Sequence, residues 1–386
     1  MTLRRILLVA LAVAAASPAA VARAADPGLW KGTGYSRIPL EYFQGIASDP
    51  ARRLWFDGVF TGLYRTDDRL HERARAAVEI PAEVTASQGY NHIGDITWDA
   101  REGGRVLLPL ECFYPGHPGG ANTCGTGAIG VADPTTLRWR YDVELDPTEI
   151  PKAMWAEVSP DGVLLWTSAG ADLLAYRTAD ISRAHTTAPI HSVRRLAGAV
   201  PPSGVTGAVF YGDRLLLAGQ QDDLFQVWSV DLATGARRLE IERTIAGESE
   251  GLAAIDALGG VLHWIVTPFD PGGRPPTYGT TGNVLLHFVP VTPRPPLHLT
   301  ARPRRLTAGR RTVVTFRAWA RRGGKRVAVP GADVRFAGAA ARTSASGVVR
   351  LRARIARAGR VKAIAARADL RPATVTLGVV RARAAR

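Results

Sequence analysis

Cysteine occurs only twice in the 386 residues, as Cys112 and Cys124. A single pair excludes a disulfide-dense scaffold, so the fold must rest on packed cores, for which 46% hydrophobic content is sufficient. Beyond the first 24 residues no stretch approaches 18 apolar residues, which excludes a membrane-spanning helix there. There is no Gly-x-Ser-x-Gly elbow, no His-Glu-x-x-His, no P-loop and no Asp-x-Asp calcium loop, so none of those hydrolase, nucleotide or calcium signatures applies. Acidic residues nearly vanish from the C-terminal quarter: residues 294–386 hold 24 Arg and Lys against Asp333 and Asp369, a net of +22. Residues 25–293 carry the opposite sign, with 22 basic and 32 acidic side chains. Lysine is also scarce, at four residues against 45 arginines. A GC-rich coding bias explains Arg over Lys, but it does not explain the loss of Asp and Glu.

The chain opens on an export signal. Arg4 and Arg5 precede an apolar run from Ile6 to Ala16, Ser17 and Pro18 break it, and Ala22-Arg23-Ala24 is a small-x-small cleavage site. Residues 1–24 are therefore expected to be removed and the mature chain to be secreted, extracellular or associated with the cell surface. In an oxidising compartment Cys112 and Cys124 are expected to form a disulfide closing a loop with Tyr114, Pro115, Gly116, His117 and Gly119. A metal site on two thiols is the weaker alternative.

Within residues 25–289 one phrase recurs from about residue 44 to residue 266: a Gly, a short apolar run, an Asp/Gly turn and a second apolar run, followed by an outer hairpin. Inner strands are expected at 44–47, 92–98, 157–158, 207–209 and 250–252. The outermost strand of the first repeat is expected at 76–80. Repeat starts separated by roughly 43–65 residues suit four-stranded blades. The fold class expected is all-β: a β-propeller of about five blades, with six the alternative. Residues 32–40 are read as a closing strand for the last blade.

Pro290-Val-Thr-Pro-Arg-Pro-Pro296 is a linker by composition. Residues 297–386 follow as a basic sandwich, with turn signals every 8–12 residues, as in immunoglobulin-like domains. Arg350, Arg352 and Arg354 alternate on one strand and so share a face. With Arg302, Arg304 and Arg305 they form a cationic surface whose expected partner outside the cell is an anionic envelope polymer or lipid. A solvated surface with no partner, or attraction to the acidic propeller, remains open. Nucleic acid is not expected in that compartment.

Pro330-Gly331-Ala332-Asp333-Val334, followed by Thr343-Ser344-Ala345-Ser346-Gly347-Val348, resembles the bacterial Ig-like domains appended to secreted and surface proteins. Thr343-Ser344 departs from their usual Thr-Asp. The resemblance covers about a quarter of the chain and implies a fold, not a chemistry. Glu250-Gly251-Leu252-Ala253 is similar to a phrase of regucalcin-like gluconolactonases and of phytase-like esterase propellers. Gln44-Gly45-Ile46 with Gly62-Leu63-Tyr64-Arg65 resembles the plant-type glutaminyl cyclase propeller, which is five-bladed.

In a propeller, residues beside the first Gly of each repeat converge at one mouth of the channel. Here these are Gln44, His92, Asp95, Glu157 and Glu250, with Glu111 ending a second strand beside the cysteine loop. Clustered carboxylates repel, and burial adds a desolvation cost that a cation relieves. Asp95, Glu111, Glu157 and Glu250 are thus candidate metal ligands, with Ca²⁺ the ion that oxygen donors suit. A solvated channel without metal is the competing reading. Two functional classes stay open. One is a binding module that recognises a small molecule or glycan at the mouth, through residues such as Gln44, Asp95 and Glu250. The other is a metal-assisted hydrolase, lactonase or phosphoesterase with His92 or Glu157 as base.

Overall fold

The computed structural model describes residues 29–58, 62–76, 80–113, 124–268 and 282–381. The export signal and residues 114–123 of the cysteine loop, with His117, lie outside the described residues. Among the described residues no helix is long and apolar enough to cross a membrane.

Residues 30–290 form five sheets. The first runs Ile46–Ser48, Leu54–Asp57, Leu63–Thr66, Glu72–Ala76. The third, from Glu157–Val158 to Arg194–Leu196, and the fourth, from Gly207–Tyr211 to Arg237–Thr244, repeat that simple antiparallel order. In the second the inner edge is split. His92–Ile93 and Thr97–Asp99 both pair with Arg105–Glu111, and residues 94–96 bulge from the ladder. The fifth runs Gly247–Ala257, Gly260–Pro268, Asn283–Pro290 and then Trp30–Ile38, so a strand from the chain's start completes a sheet from much later. The inner strands adjoin in cyclic order, the fifth returning to the first. Sheets radiating from a closed ring of inner strands make a β-propeller. Its apolar side chains fill the wedges between neighbouring sheets, with Trp55, Trp155, Trp166 and Trp264 fully buried.

Closure by the N-terminal strand agrees with the expectation for 32–40, shifted by two residues. The outermost strand of the first sheet does not: it is Glu72–Ala76, ahead of the 76–80 expected. There Glu-Arg-Ala-Arg alternates on an edge that leaves its polar side chains exposed, a weak hydrophobic signal. The helix Ala82–Gln88 was not anticipated either. Pro81 precedes it and Gly89 ends it at φ 83°, a left-handed conformation that glycine adopts without strain. A Cβ on Gly89 would stand 3.1 Å from Cys112 Sγ. The helix end thus packs on the Cys112–Cys124 disulfide, which the structure contains.

Residues 298–380 build two further sheets around one core that includes Val314, Phe316, Val334, Phe336 and Leu351. In one sheet the long strand Arg311–Arg322 is flanked by His298–Arg302 on one edge and by Val348–Arg354 and Lys325–Ala328 on the other. The other sheet orders Arg305–Thr307, Leu370–Val380, Gly359–Arg367, Asp333–Phe336 and Ala339–Arg342. Strict inside–outside alternation along Val348–Arg354 points Val349, Leu351 and Ala353 to the core and the three arginines between and beyond them to solvent. The proline-rich segment before this region is not free: Leu297 N–H donates to Arg371 O, and Arg371 N–H to Pro295 O.

This two-sheet unit lies against the far ends of the propeller's inner strands. Arg342 donates to Ser48 O at 2.9 Å and stacks 4.7 Å from the Trp98 ring centre. Arg322 and Arg367 both pair with Asp213, and Arg294 pairs with Asp256 at 3.0 Å. A Cβ on Gly331 would meet Pro160 at 2.9 Å.

Candidate functional site at the propeller axis

The inner strands approach so closely that only glycine fits at several crossings. A Cβ would lie 1.9 Å from Met154 O at Gly94 and 2.6 Å from Asp95 Oδ1 at Gly251. This is the physical reason for the Gly at four of the five inner strands, Gly45, Gly94, Gly207 and Gly251; the third has Ala156 there. The bulge at 94–96 drives Asp95 into the centre. Its carboxylate, fully buried, accepts N–H bonds from Ile46 (3.0 Å), Ala208 (2.8 Å) and Leu252 (3.4 Å), which belong to the first, fourth and fifth sheets. Its backbone accepts from Ala156 and donates to Met154 O on the approach to the third. Asp95 therefore ties its own sheet to the other four.

On the strand-start side of Asp95 the side chains form one connected network. Lys152 Nζ stands 3.5 Å from Glu111 Oε2. The other Glu111 oxygen pairs with His92 Nδ1. His92 Nε2 lies 3.3 Å from Gln44 Oε1, and Gln44 Nε2 donates to Glu250 Oε2 at 2.8 Å. Gln44, His92, Glu111 and Glu250 are all buried. Burial holds the Glu250 carboxyl well above the usual carboxylate range, and Glu248, Asp57 and Asp95 add to it. Asp95 and Asp57 are raised likewise, chiefly by desolvation. Neither oxygen of Asp57 makes a well-formed hydrogen bond among the described residues.

Glu157 lies on the opposite side of Asp95. It faces a cavity of about 80 Å³ between the propeller and the C-terminal unit, lined also by Thr97, Ser48, Phe210, Asp333 and Arg342. Thr97 Oγ1 donates to Glu157 at 2.5 Å and Phe210 N–H at 3.2 Å. Burial pushes Glu157 up to about 7 despite those bonds.

The expected set is thus divided: Gln44, His92, Glu111 and Glu250 meet, Asp95 forms the floor beneath them, and Glu157 faces away. The four candidate metal ligands do not share one centre. Among the described residues the trio able to surround an ion is Asp146, Glu149 and His191, at the periphery. There Glu149 already accepts from Tyr176 and Ser192, and Asp146 from Thr148. Sequence reasoning missed Lys152, Asp57 and Arg342. Lys152 precedes an inner strand and Asp57 ends a second strand, positions outside the repeat's first Gly. Arg342 belongs to the other unit, and its insertion leaves no local signal.

No family model and no curated protein matches this chain. Among solved structures, a glucose dehydrogenase aligns over 67% of this chain and 98% of its own, at 9% identity and a TM-score of 0.40. A luciferin-regenerating enzyme aligns over 66% and 94%, at 13% identity and a TM-score of 0.37. A GH43 β-1,3-galactosidase aligns over 67% and 60%, at 8% identity and a TM-score of 0.41. The propeller assignment rests on the strand connectivity given above, not on these distant likenesses.

Proposed function

We propose that the chain is an exported, five-bladed propeller with a C-terminal Ig-like sandwich, which binds a small polar molecule or glycan at the strand-start mouth and is held on an anionic envelope polymer by its basic sandwich. The observation that carries this reading is the position of the sandwich. It covers one end of the channel with Arg342, so the Lys152–Glu111–His92–Gln44–Glu250 network stands at the other. Amide, imidazole, ammonium and carboxyl groups in one connected patch provide donors and acceptors for a hydroxyl-rich ligand. Five inner strands in a closed ring support the blade count.

A thermal-melt screen of the mature chain against saccharides and polar metabolites tests the reading. A ligand at about 100 times its dissociation constant adds about 2.7 kcal/mol to the folded state. The account expects a hit whose shift is lost in Gln44→Ala and His92→Ala, while the same shift in both variants overturns it.

A second reading, a hydrolase or lactonase, draws on the Glu111–His92 pair, in which a carboxylate orients an imidazole as in general-base sites. The geometry lends no support to a single Ca²⁺ on Asp95, Glu111, Glu157 and Glu250. Ester or lactone turnover abolished by His92→Ala would favour this reading over binding.

A further inference from the structure

The outer face of the sandwich sheet centred on Arg311–Arg322 holds a charge array that the propeller contact does not use. Cross-strand pairing sets the array. Arg311 lies opposite Arg354, Val313 opposite Arg352, and Thr315 opposite both Arg350 and Arg302. Further along, Arg321 lies opposite Arg326, and Arg317 opposite Thr300. Directly opposed residues share a face, so eight arginines project from one side of one sheet. The sandwich's two carboxylates are placed elsewhere: Asp333 pairs with Arg342 and Asp369 with Arg367, both in the region that meets the propeller. Among the described residues no carboxylate pairs with any arginine of the outer face. A cleft of about 830 Å³ runs across this face, with Arg302, Arg304, Arg317 and Arg326 among its lining residues and Thr300 and Thr315 between them.

We infer that this face is a docking surface for an extended phosphodiester polymer. The inference rests on the anchoring role proposed above for the sandwich and names its partner. Three features select that chemistry. Guanidinium forks match phosphate oxygens bidentately, and threonine hydroxyls add neutral donors. Outward residues on one strand repeat about every 7 Å. A phosphodiester of a three-carbon unit puts six backbone bonds between charges, which span about 7 Å when extended, as two peptide residues do. The face also lacks the aromatic wedge a bilayer surface would receive: Trp319, its one large ring, is covered by His298 at 3.9 Å and by Arg326 at 4.3 Å.

The test is a titration of the full mature chain with synthetic poly(glycerol phosphate) between about 50 and 200 mM salt. The triple variant Arg317→Ala/Arg350→Ala/Arg352→Ala is compared with a control triple on the propeller surface, Arg37→Ala/Arg138→Ala/Arg177→Ala. The expected result is tight binding that weakens with salt, and a log–log salt slope smaller by about 2 in the sandwich triple, at about 0.7 per lost contact. The control should match the wild type. Equal loss in both triples, an unchanged slope in the sandwich triple, or a wild-type slope below about 2 overturns the inference. So does equally tight binding to phosphatidylglycerol vesicles, which would make the partner a membrane. Ligand-induced melting shifts at Gln44 and His92 are read separately, so failure here leaves the propeller reading standing, and the reverse also holds.

Discussion

The propeller and the sandwich handle charge in opposite ways. The propeller, net acidic, draws carboxylates to its axis and buries them: Asp57, Asp95, Glu111 and Glu250 are all nearly inaccessible. The sandwich, with 24 basic residues between 294 and 386, turns most of its arginines outward and places its two carboxylates near the contact with the propeller, beside Arg342 and Arg367. Among these buried carboxyl groups Asp95 organises the fold, because N–H donors from three other sheets fix it. Exposed charge in the second contributes little to folding, since surface pairs are worth at most about 1 kcal/mol. It is available for a partner instead.

The largest effect expected from breaking this contrast is at Asp95. Replacing it by Ala leaves the N–H groups of Ile46, Ala208 and Leu252 buried without an acceptor, a loss of about 3–5 kcal/mol in urea unfolding. By contrast, Arg352→Ala on the sandwich face should change stability by less than about 0.5 kcal/mol. A D95A protein as stable as the wild type would remove the central tie from the account.

Acid should strike the propeller next. His263 and His287 face each other across the fifth sheet at 2.9 Å, and His287 Nε2 meets Ser36 Oγ of the closing strand at 2.8 Å. His263 Nε2 faces Ile255 O, which fixes its proton there and leaves its Nδ1 to accept from His287. Burial lowers both, His263 to about 4, with Asp256 the nearby carboxylate acting in the opposite direction. The contribution of the neutral pair is therefore complete above the ordinary histidine value of 6.5 and is lost as pH falls toward 4. The loss should reach about 3 kcal/mol and appear first as exchange of the Trp30–Ile38 amides. His263→Gln should flatten that acid limb.

Glu157 gives the opposite sign. Its raised value makes its contribution complete below about 4.5, and that contribution is lost as pH rises through about 7. Glu157→Gln should be more stable than the wild type by about 1–3 kcal/mol at alkaline pH and indistinguishable from it in acid. The smallest effect joins the two regions. Arg342→Ala removes the hydrogen bond to Ser48 O, the ion pair with Asp333 and one cation–π contact and should cost about 1–2 kcal/mol, with Trp98 emission moving to the red as the sandwich loosens.

The repeats were legible because a strand half-buried in a wedge alternates, and because a Cβ would not fit at Gly45, Gly94, Gly207 or Gly251, where inner strands cross. The closing strand followed from the habit of propellers to complete the last blade with an N-terminal strand, since Trp30–Ile38 itself is mostly exposed and carries little apolar signal. The edge strand Glu72–Ala76 was not, because an exposed edge carries no hydrophobic pattern. The convergence of Gln44, His92, Glu111 and Glu250 followed from repeat geometry. The removal of Glu157 to the other side did not: Glu157 follows Ala156, which bonds Asp95 at the crossing, whereas Gln44 and Glu250 precede Gly45 and Gly251, and the third inner strand has no Gly to mark that point. The docked sandwich was the least visible, since its contacts are single arginines reaching Ser48, Trp98, Asp213 and Asp256, which are far apart in the sequence.

The most direct test of the division between a ligand-binding propeller end and an anchoring sandwich face is hydrogen exchange on the mature chain with and without poly(glycerol phosphate). The account predicts protection along His298–Arg302, Arg311–Arg322 and Val348–Arg354, with no change at Gln44–Ile46 or His92–Asp95. Protection at the propeller's strand-start mouth, with the sandwich sheet unchanged, would contradict it.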